Sequence, residues 1–393
     1  MSEILSYENI LPIAPLKIAA LEGCRKLARS VDDYLVQFRQ KSNQNFQNTP
    51  NFQGYHEDTY MIRSSCPRFG TGEAKGILYD SVRGADLFIL ADVMNHSLSY
   101  TVCGHKHHMS PDDHYQDLKR IISASKGKAH GINVIMPFLY ESRQHKRKQR
   151  ESLDCAFALQ ELADMGVANI ITFDAHDPRV CNSIPLYGFD SFNPPYQFIK
   201  GLIRAEPDLQ FDKNHLMVIS PDEGAMERAV YFAGVLGVDM GMFYKRRDYS
   251  VIVHGKNPIV AHEFLGDDLS GKDIIIIDDM ISSGDSILDG ARQIKERGAK
   301  RVFVCATFGL FTDGLDKFDE YYEKGYISHV VTTNLNYRNP ELLSKPYYIE
   351  ANMTKFLAAI IDCINHDVST ERVNDPTKRI HNLLEEIERG DDL

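Results

Sequence analysis

The residues best suited to chemistry lie in Lys272–Ser286, which reads KDIIIIDDMISSGDS. Ile274–Ile277 form an unbroken apolar run, the pattern of a strand covered on both faces. Asp278 and Asp279 follow at its carboxyl end, and a small polar turn, Ser282-Ser283-Gly284-Asp285-Ser286, leads into a helical pattern. In open α/β sheets ligands bind beyond the carboxyl ends of the strands. Backbone N–H groups in a tight turn, backed by a helix N-terminus, hold a phosphate. Two adjacent carboxylates repel a phosphate but accept hydrogen bonds from neighbouring sugar hydroxyls. Together these groups suit a phosphorylated sugar. Acids beside a buried strand are costly to retain without such a partner. Just upstream, Gly266–Lys272 spells GxxxxGK. That segment precedes a strand and continues with Asp273, whereas a nucleotide P-loop follows a strand and continues with Ser or Thr. It reads as a turn.

Further polar clusters sit beside other strand-like runs. Arg143 and Gln144 open a basic stretch to Lys148 after Asn133–Phe138, and positive charge there suits a polyphosphate. Asp174 and His176 alternate beyond Asn169–Phe173, and Asp222 follows Leu216–Ser220. Lys245 and Arg247 stand at the end of another extended run. Phe69 offers a stacking face for a flat base, and Glu73 an acceptor for an exocyclic amine. Mg²⁺ favours one or two carboxylates plus substrate phosphates, and this donor set fits it better than a closed zinc site. Each cluster taken alone also admits a structural reading: a solvated charge run, a satisfied histidine, a buried phenylalanine.

The elements that must position these residues alternate between strand and helix. Leu87–Val93, Asn133–Phe138, Asn169–Phe173, Leu216–Ser220, Ile274–Ile277 and Arg301–Thr307 read as strands. Leu153–Met165, Ala225–Leu236 and Ser286–Arg297 carry helical spacing, with Gly166, Gly237 and Gly298 as stops. The pattern predicts an α/β protein with mostly parallel sheets flanked by helices. It occurs twice, with a hinge at Asn193-Pro194-Pro195, giving domains 1–193 and 194–393. Gln40–Gln53 reads as a polar surface loop, and Asp375–Leu393 as a charged amphipathic helix, solvated or in contact with another subunit. The chain has 393 residues, 43% of them apolar, which suits two domains with cores of their own. No apolar run reaches the roughly 18–20 residues of a membrane span. No secretory leader is visible, and seven cysteines lie scattered without CxxC pairs. A reduced cytoplasmic setting is the expectation. A net charge of −11 argues against nucleic acid as the main partner.

Over roughly Arg68 to Asn334 these motifs resemble the ribose-phosphate pyrophosphokinases, which are built on the type I phosphoribosyltransferase fold. The resemblance implies two phosphoribosyltransferase-like domains. It implies transfer of the diphosphate of ATP to C1 of ribose 5-phosphate, giving phosphoribosyl diphosphate (PRPP) and AMP, with Mg²⁺ as cofactor. It assigns the 5-phosphate to Ser282, Ser283, Gly284, Asp285 and Ser286, and the ribose hydroxyls to Asp278 and Asp279. It assigns ATP to Arg143 and Gln144, and to Phe69 and Glu73 from a neighbouring subunit of a homo-oligomer. His176 and Asp222 become metal-associated residues. Lys245 and Arg247 become the catalytic pair, opening a loop that closes over the site in that family.

The chain departs from the family pattern at several positions. Thr71 stands where Asn is usual, His145 where Asp is usual, and Asp285 where Gly is usual. Asp177-Pro178-Arg179 replaces the Ser/Gln-type residues with which the family binds regulatory phosphate or ADP, so no regulatory site is carried over. Residues 95–110, holding His96, Cys103, His105, His107 and His108, resemble an insertion. They read as a structural or mobile loop, with an oligomer contact or a transition-metal site as alternatives. Two functional alternatives are a diphosphokinase acting on a larger ribose phosphate such as ADP-ribose, and a non-catalytic regulatory homologue.

Overall fold

The computed structural model describes residues 10–40, 54–247 and 259–389. The chain begins with β1 (Leu16–Ala20), α1 (Arg25–Gln40), β2 (Ser64–Ser65), β3 (Ile77–Leu78), β4 (Asp86–Leu90), β5 (Ser99–Val102) and β6 (His105–His108). It continues with α2 (Pro111–Ser125), β7 (Gly131–Ile135), α3 (Asp154–Asp164), β8 (Asn169–Phe173), β9 (Gly188–Phe192), α4 (Pro195–Ala205) and β10 (Leu216–Ser220). Then come α5 (Met226–Leu236), β11 (Asp239–Arg247), β12 (Ile259–Leu265), β13 (Asp273–Ile281), α6 (Asp285–Glu296), β14 (Arg301–Gly309) and α7 (Asp316–Glu323). β15 (His329–Thr333), β16 (Tyr348–Ala351), α8 (Thr354–Asn365), α9 (Glu371–Asn374) and α10 (Thr377–Glu388) complete the described elements.

The residues form two compact units. One comprises residues 1–193, 334–337 and 352–375, the other 194–333, 338–351 and 376–393. The first holds a five-stranded sheet in the order β1-β4-β7-β8-β9, parallel throughout. The second holds a seven-stranded sheet in the order β12-β11-β10-β13-β14-β15-β16. All its pairings are parallel except β11 with β12. Both sheets carry helices, as the alternating pattern requires.

The strand β13 shows why the isoleucine run folds as it does. Ile275 and Ile277 pack on one face of the sheet with Phe232, Phe303 and residues of α4 and α5. Ile274 and Ile276 pack on the other with Leu288, Phe318 and residues of α6. Each buried isoleucine contributes about 1.5–3 kcal/mol relative to exposure. Gly166, Gly237 and Gly298 end their helices with left-handed φ of 80°, 68° and 93°. The helix α2 begins at a capping box: Ser110 accepts from the Asp113 N–H, and Asp113 accepts from the Ser110 N–H.

Two expectations change. The charged helix near the end of the chain is not merely solvated. Its Ile380 and Leu383 are buried in the core shared with α4 and α5. Residues 95–110 contain a β-hairpin, β5 paired antiparallel with β6. Gln40 closes α1, and the rest of the predicted polar loop, 41–53, lies outside the described residues.

The first unit also contains a buried polar chain that apolar periodicity does not reveal. Arg39 of α1 is 1% exposed. Its Nε donates to Asp362 Oδ1 at 3.0 Å and its Nη2 to Asn365 Oδ1 at 2.6 Å, both on α8. Asn365 donates to Asp86 Oδ2 at 2.9 Å, Asn133 to Asp86 Oδ1 at 2.7 Å, and Asn169 to Asn133 Oδ1 at 2.7 Å. The chain of bonds thus ties α1 and α8 to β4, β7 and β8. Arg39→Met should leave Asp362 buried without its cation and destabilise the first unit by about 3–5 kcal/mol. Urea unfolding followed by circular dichroism measures this, and a loss below about 1 kcal/mol would contradict the network's role.

Candidate active site

In the second unit the chain runs from β10 to β11 on one side and returns as β13 on the other side of β10. The strand order therefore reverses between β10 and β13, the place where open α/β sheets leave a crevice for a ligand. Both strands deliver acids there. Asp222 follows β10 by two residues, and its Oδ1 accepts from the Gly224 N–H at 2.9 Å, capping the turn into α5. Asp278 and Asp279 lie within β13. The Asp279 N–H donates to Asp278 Oδ1 at 2.8 Å. Burial, and then the neighbouring Asp279 carboxylate, push Asp278 well above the usual carboxylate range. Arg228, the third residue of α5, opposes that rise by its charge. It is a member of the site that the sequence did not announce, because a lone arginine in a helix has no signature.

The turn after β13 is built around Gly284. Its φ is 86°, and a Cβ there would lie 2.4 Å from Phe318 Cζ, so the position admits only glycine. Gly284 is also the N-cap of α6 and has no side chain to offer; the Asp285 N–H, first of the helix, donates to Ser283 Oγ at 3.4 Å. Ser282 and Ser283 are half-buried, and Asp285 and Ser286 are exposed. The Asp285 carboxylate, unwelcome beside a phosphate, accepts from Lys317 Nζ at 2.5 Å. That ammonium holds it below the usual carboxylate range.

Lys245 and Arg247 end β11. Their backbones pair with His262 and Ile259 of β12, and the register shifts between Arg246 and Arg247. Bulges of this kind re-aim the chain beside active sites. Residues 248–258, where the resemblance places its closing loop, lie outside the described residues.

The first unit gathers the other sequence-derived positions at or beyond strand ends. Arg143 is exposed. Gln144 spends its amide N–H on the Ser152 carbonyl at 2.7 Å, which shapes the basic loop itself. Asp174 is buried at a left-handed φ of 42°. His176 is exposed, and its N–H donates to Ser142 Oγ at 3.2 Å. The His145 ring lies 5.3 Å from the His176 ring and its Nε2 3.4 Å from Asp177 Oδ2. Hydrogen bonds from Arg179, chiefly, hold Asp177 down at about 2. Phe69 is 53% exposed. Thr71 Oγ1 donates to Glu73 Oε2 at 2.9 Å and so orients that carboxylate.

Among the described residues no cluster of three or more His, Cys, Asp or Glu side chains is assembled for a metal. His105, His107 and His108 lie exposed along β6, and His107 stacks on Tyr100.

Two family models match the chain. The N-terminal domain of ribose phosphate pyrophosphokinase matches residues 16–166, and the phosphoribosyl synthetase-associated domain matches residues 248–371. The ribose-phosphate pyrophosphokinase of Buchnera aphidicola subsp. Schizaphis graminum is 30% identical over 272 residues, covering 67% of this chain and 75% of that one. The chain belongs to the ribose-phosphate pyrophosphokinase family. The Staphylococcus epidermidis pyrophosphokinase is 28% identical over 334 residues, covering 84% of this chain and 86% of its own. The fold is that of the phosphoribosylpyrophosphate synthetase of Mycobacterium smegmatis, with a TM-score of 0.69 at 21% identity, covering 90% of this chain and 99% of that one. As a pyrophosphokinase the chain is a diphosphotransferase. Three of its departures from the family pattern each meet a local partner: Asp285 with Lys317, His145 with Asp177, and Thr71 with Glu73.

Proposed function

We propose that the protein transfers the β,γ-diphosphate of ATP to the C1 hydroxyl of ribose 5-phosphate. The hydroxyl oxygen attacks the β-phosphorus, the bond from that phosphorus to the oxygen bridging it to the α-phosphate breaks, and AMP leaves with that oxygen. The hydroxyl proton passes to solvent. The observation that carries this reading is the juxtaposition, at the strand-order reversal, of the Asp278–Asp279 pair with the Gly284 turn. The backbone of Ser282–Ser286 holds the 5-phosphate, with the Asp285 carboxylate engaged by Lys317. Asp278 and Asp279 accept from the ribose hydroxyls. Arg143 and Gln144 serve ATP on the first unit, and the second unit serves the ribose phosphate.

Mg²⁺ fits the donors. Two adjacent acids that resist joint ionisation are relieved by a cation, and Mg²⁺ is commonly held by one or two carboxylates together with substrate phosphates. His176 on the first unit, and Asp222 with the acid pair on the second, are each candidate donors, and the ion would neutralise charge on the transferring diphosphate. Lys245 and Arg247 add fixed cations for the same charge. The exposed ring of Phe69 supports a homo-oligomer in which Phe69 and Glu73 reach the adenine of a neighbouring subunit. Seven cysteines, none in a disulfide, support a cytoplasmic setting.

The purified protein with Mg²⁺, ATP and ribose 5-phosphate should release AMP and PRPP in equal amounts. Excess chelator should stop turnover, and added Mg²⁺ should restore it. Wild-type protein that forms no AMP under these conditions would reject the assignment.

A further inference from the structure

The hairpin β5–β6 is the part of the first unit that the pyrophosphokinase motifs leave without a task. Its contacts are specific. The Cys103 N–H, at the hairpin tip, donates to the Gly70 carbonyl at 2.8 Å. Val102 packs against Gly72, where φ is 92° and a Cβ would lie 2.9 Å from Val102 Cγ2. Gly70 and Gly72 belong to the Phe69–Glu73 segment, itself a tight turn closed by Phe69 N–H to Glu73 O at 2.7 Å and Gly72 N–H to Phe69 O at 2.9 Å.

The root of that segment is held by the same hairpin. The Arg68 guanidinium lies 4.6 Å from the centre of the Tyr100 ring and donates to Asp117 Oδ2 at 2.8 Å. The Tyr100 hydroxyl donates to Asp113 Oδ1 at 2.9 Å, which anchors β5 to the first turn of α2. The tip turn, Cys103-Gly104, has φ of 49° and 85°, so both residues are left-handed as a two-residue hairpin turn of right-handed twist requires. At the base the Met109 N–H donates to the Leu98 carbonyl at 2.9 Å. Hairpin, Arg68 and α2 thus grip both ends of a short segment whose outward groups are the Phe69 ring and the Glu73 carboxylate.

We infer that the β5–β6 hairpin is a brace that fixes the Phe69–Glu73 segment in its nucleotide-binding shape and thereby sets the affinity for ATP. The inference rests on the reading of Phe69 and Glu73 as adenine contacts. An exposed turn bearing two glycines would otherwise sample many shapes, and ordering it on binding would weaken the complex. The hairpin removes that cost in advance. Tyr100 and Val102 are positioning residues: they act through the segment and touch no substrate.

The geometry supplies a clean excision. Because Leu98 and Met109 are already bonded, Ser99–His108 can be replaced by Asn-Gly with the base retained. The excised enzyme should show a KM for ATP raised about tenfold, with KM for ribose 5-phosphate within about twofold of wild type. Val102→Ala should raise KM for ATP about threefold. Combined with Phe69→Ala it should add nothing to the Phe69→Ala loss, since a brace matters only while the ring it holds is present. An unchanged KM for ATP in both the excised enzyme and Val102→Ala overturns the brace. So does an equal rise in both KM values, or full additivity with Phe69→Ala. If Phe69→Ala itself leaves KM for ATP unchanged while the enzyme makes PRPP, the adenine reading has failed and the brace with it. Wild-type protein that makes no PRPP is the separate failure of the proposed reaction. If the excised chain does not fold, Val102→Ala and its cycle decide alone.

Discussion

Lys245→Ala is expected to lower kcat by about 10²–10³-fold while changing KM for ATP and for ribose 5-phosphate by no more than about threefold. Charge on a transferring phosphoryl group spreads over its oxygens as the bond to the leaving group loosens. A fixed cation that meets this charge stabilises the transition state more than the bound substrates, so its loss falls on turnover. The position favours such a role. Lys245 stands near the end of β11, the strand next to β10, and beside a register shift of the β11–β12 pair. Lys272 provides the contrast. It lies just before β13, at the amino end of that strand, and its ammonium donates to the Lys213 carbonyl at 2.8 Å. Lys272→Ala should keep wild-type kcat. Steady-state kinetics on both variants settle the matter, and a Lys245→Ala enzyme with wild-type turnover removes Lys245 from the mechanism.

Gly284→Ala is expected to raise KM for ribose 5-phosphate by at least about tenfold and to leave KM for ATP nearly unchanged. A side chain at a left-handed φ costs about 1–2 kcal/mol. Here the new methyl also meets Phe318 at 2.4 Å, so the turn must move. Moving it swings the N–H groups of Ser283–Ser286 away from any phosphate they hold, and each misdirected donor weakens the complex. Phe318 is fully buried and stacks edge-on with Phe311, so it cannot yield without disturbing its own core. The thermal midpoint should fall as well. A variant with normal ribose 5-phosphate KM and a lowered midpoint would make Gly284 a packing residue and no more. Arg228 and the acid pair would then be left to bind the sugar.

The chemistry of the second unit was legible because strand, acids and turn are contiguous in Lys272–Ser286. A buried run, two carboxylates and a small-residue turn each leave a local mark. The reversal of strand order leaves none, since periodicity tells which face of a strand is covered and not which strand lies beside it. Arg228 was missed for the same reason: only the fold brings it toward Asp278. The helix α8 is covered nearly all round, with Phe356, Leu357, Ala358, Ile360 and Ile361 buried. The hairpin was read as a loop because β6 is Lys and His throughout, without the alternation that marks a half-buried strand. Its register comes from the turn and from partners in other elements. The ATP-side residues were legible by likeness more than by chemistry. Gln144 shows the limit, as its amide N–H serves its own loop.

The polar chain from Arg39 to Asn169 has a consequence for synthesis. Asp362 and Asn365, on which Arg39 and Asp86 depend, are translated more than 270 residues after Asp86. At ribosomal speeds of about 5–20 residues per second, that interval is on the order of 15–60 s. Through that time the growing first sheet has no α8, and the Arg39 guanidinium and the Asp86 carboxylate lack their partners on that helix. The first unit is thus begun early and completed late, while all seven strands of the other sheet are made in between. A nascent chain in this interval presents an unfinished surface, where a chaperone would find its substrate and a neighbouring nascent copy its wrong partner.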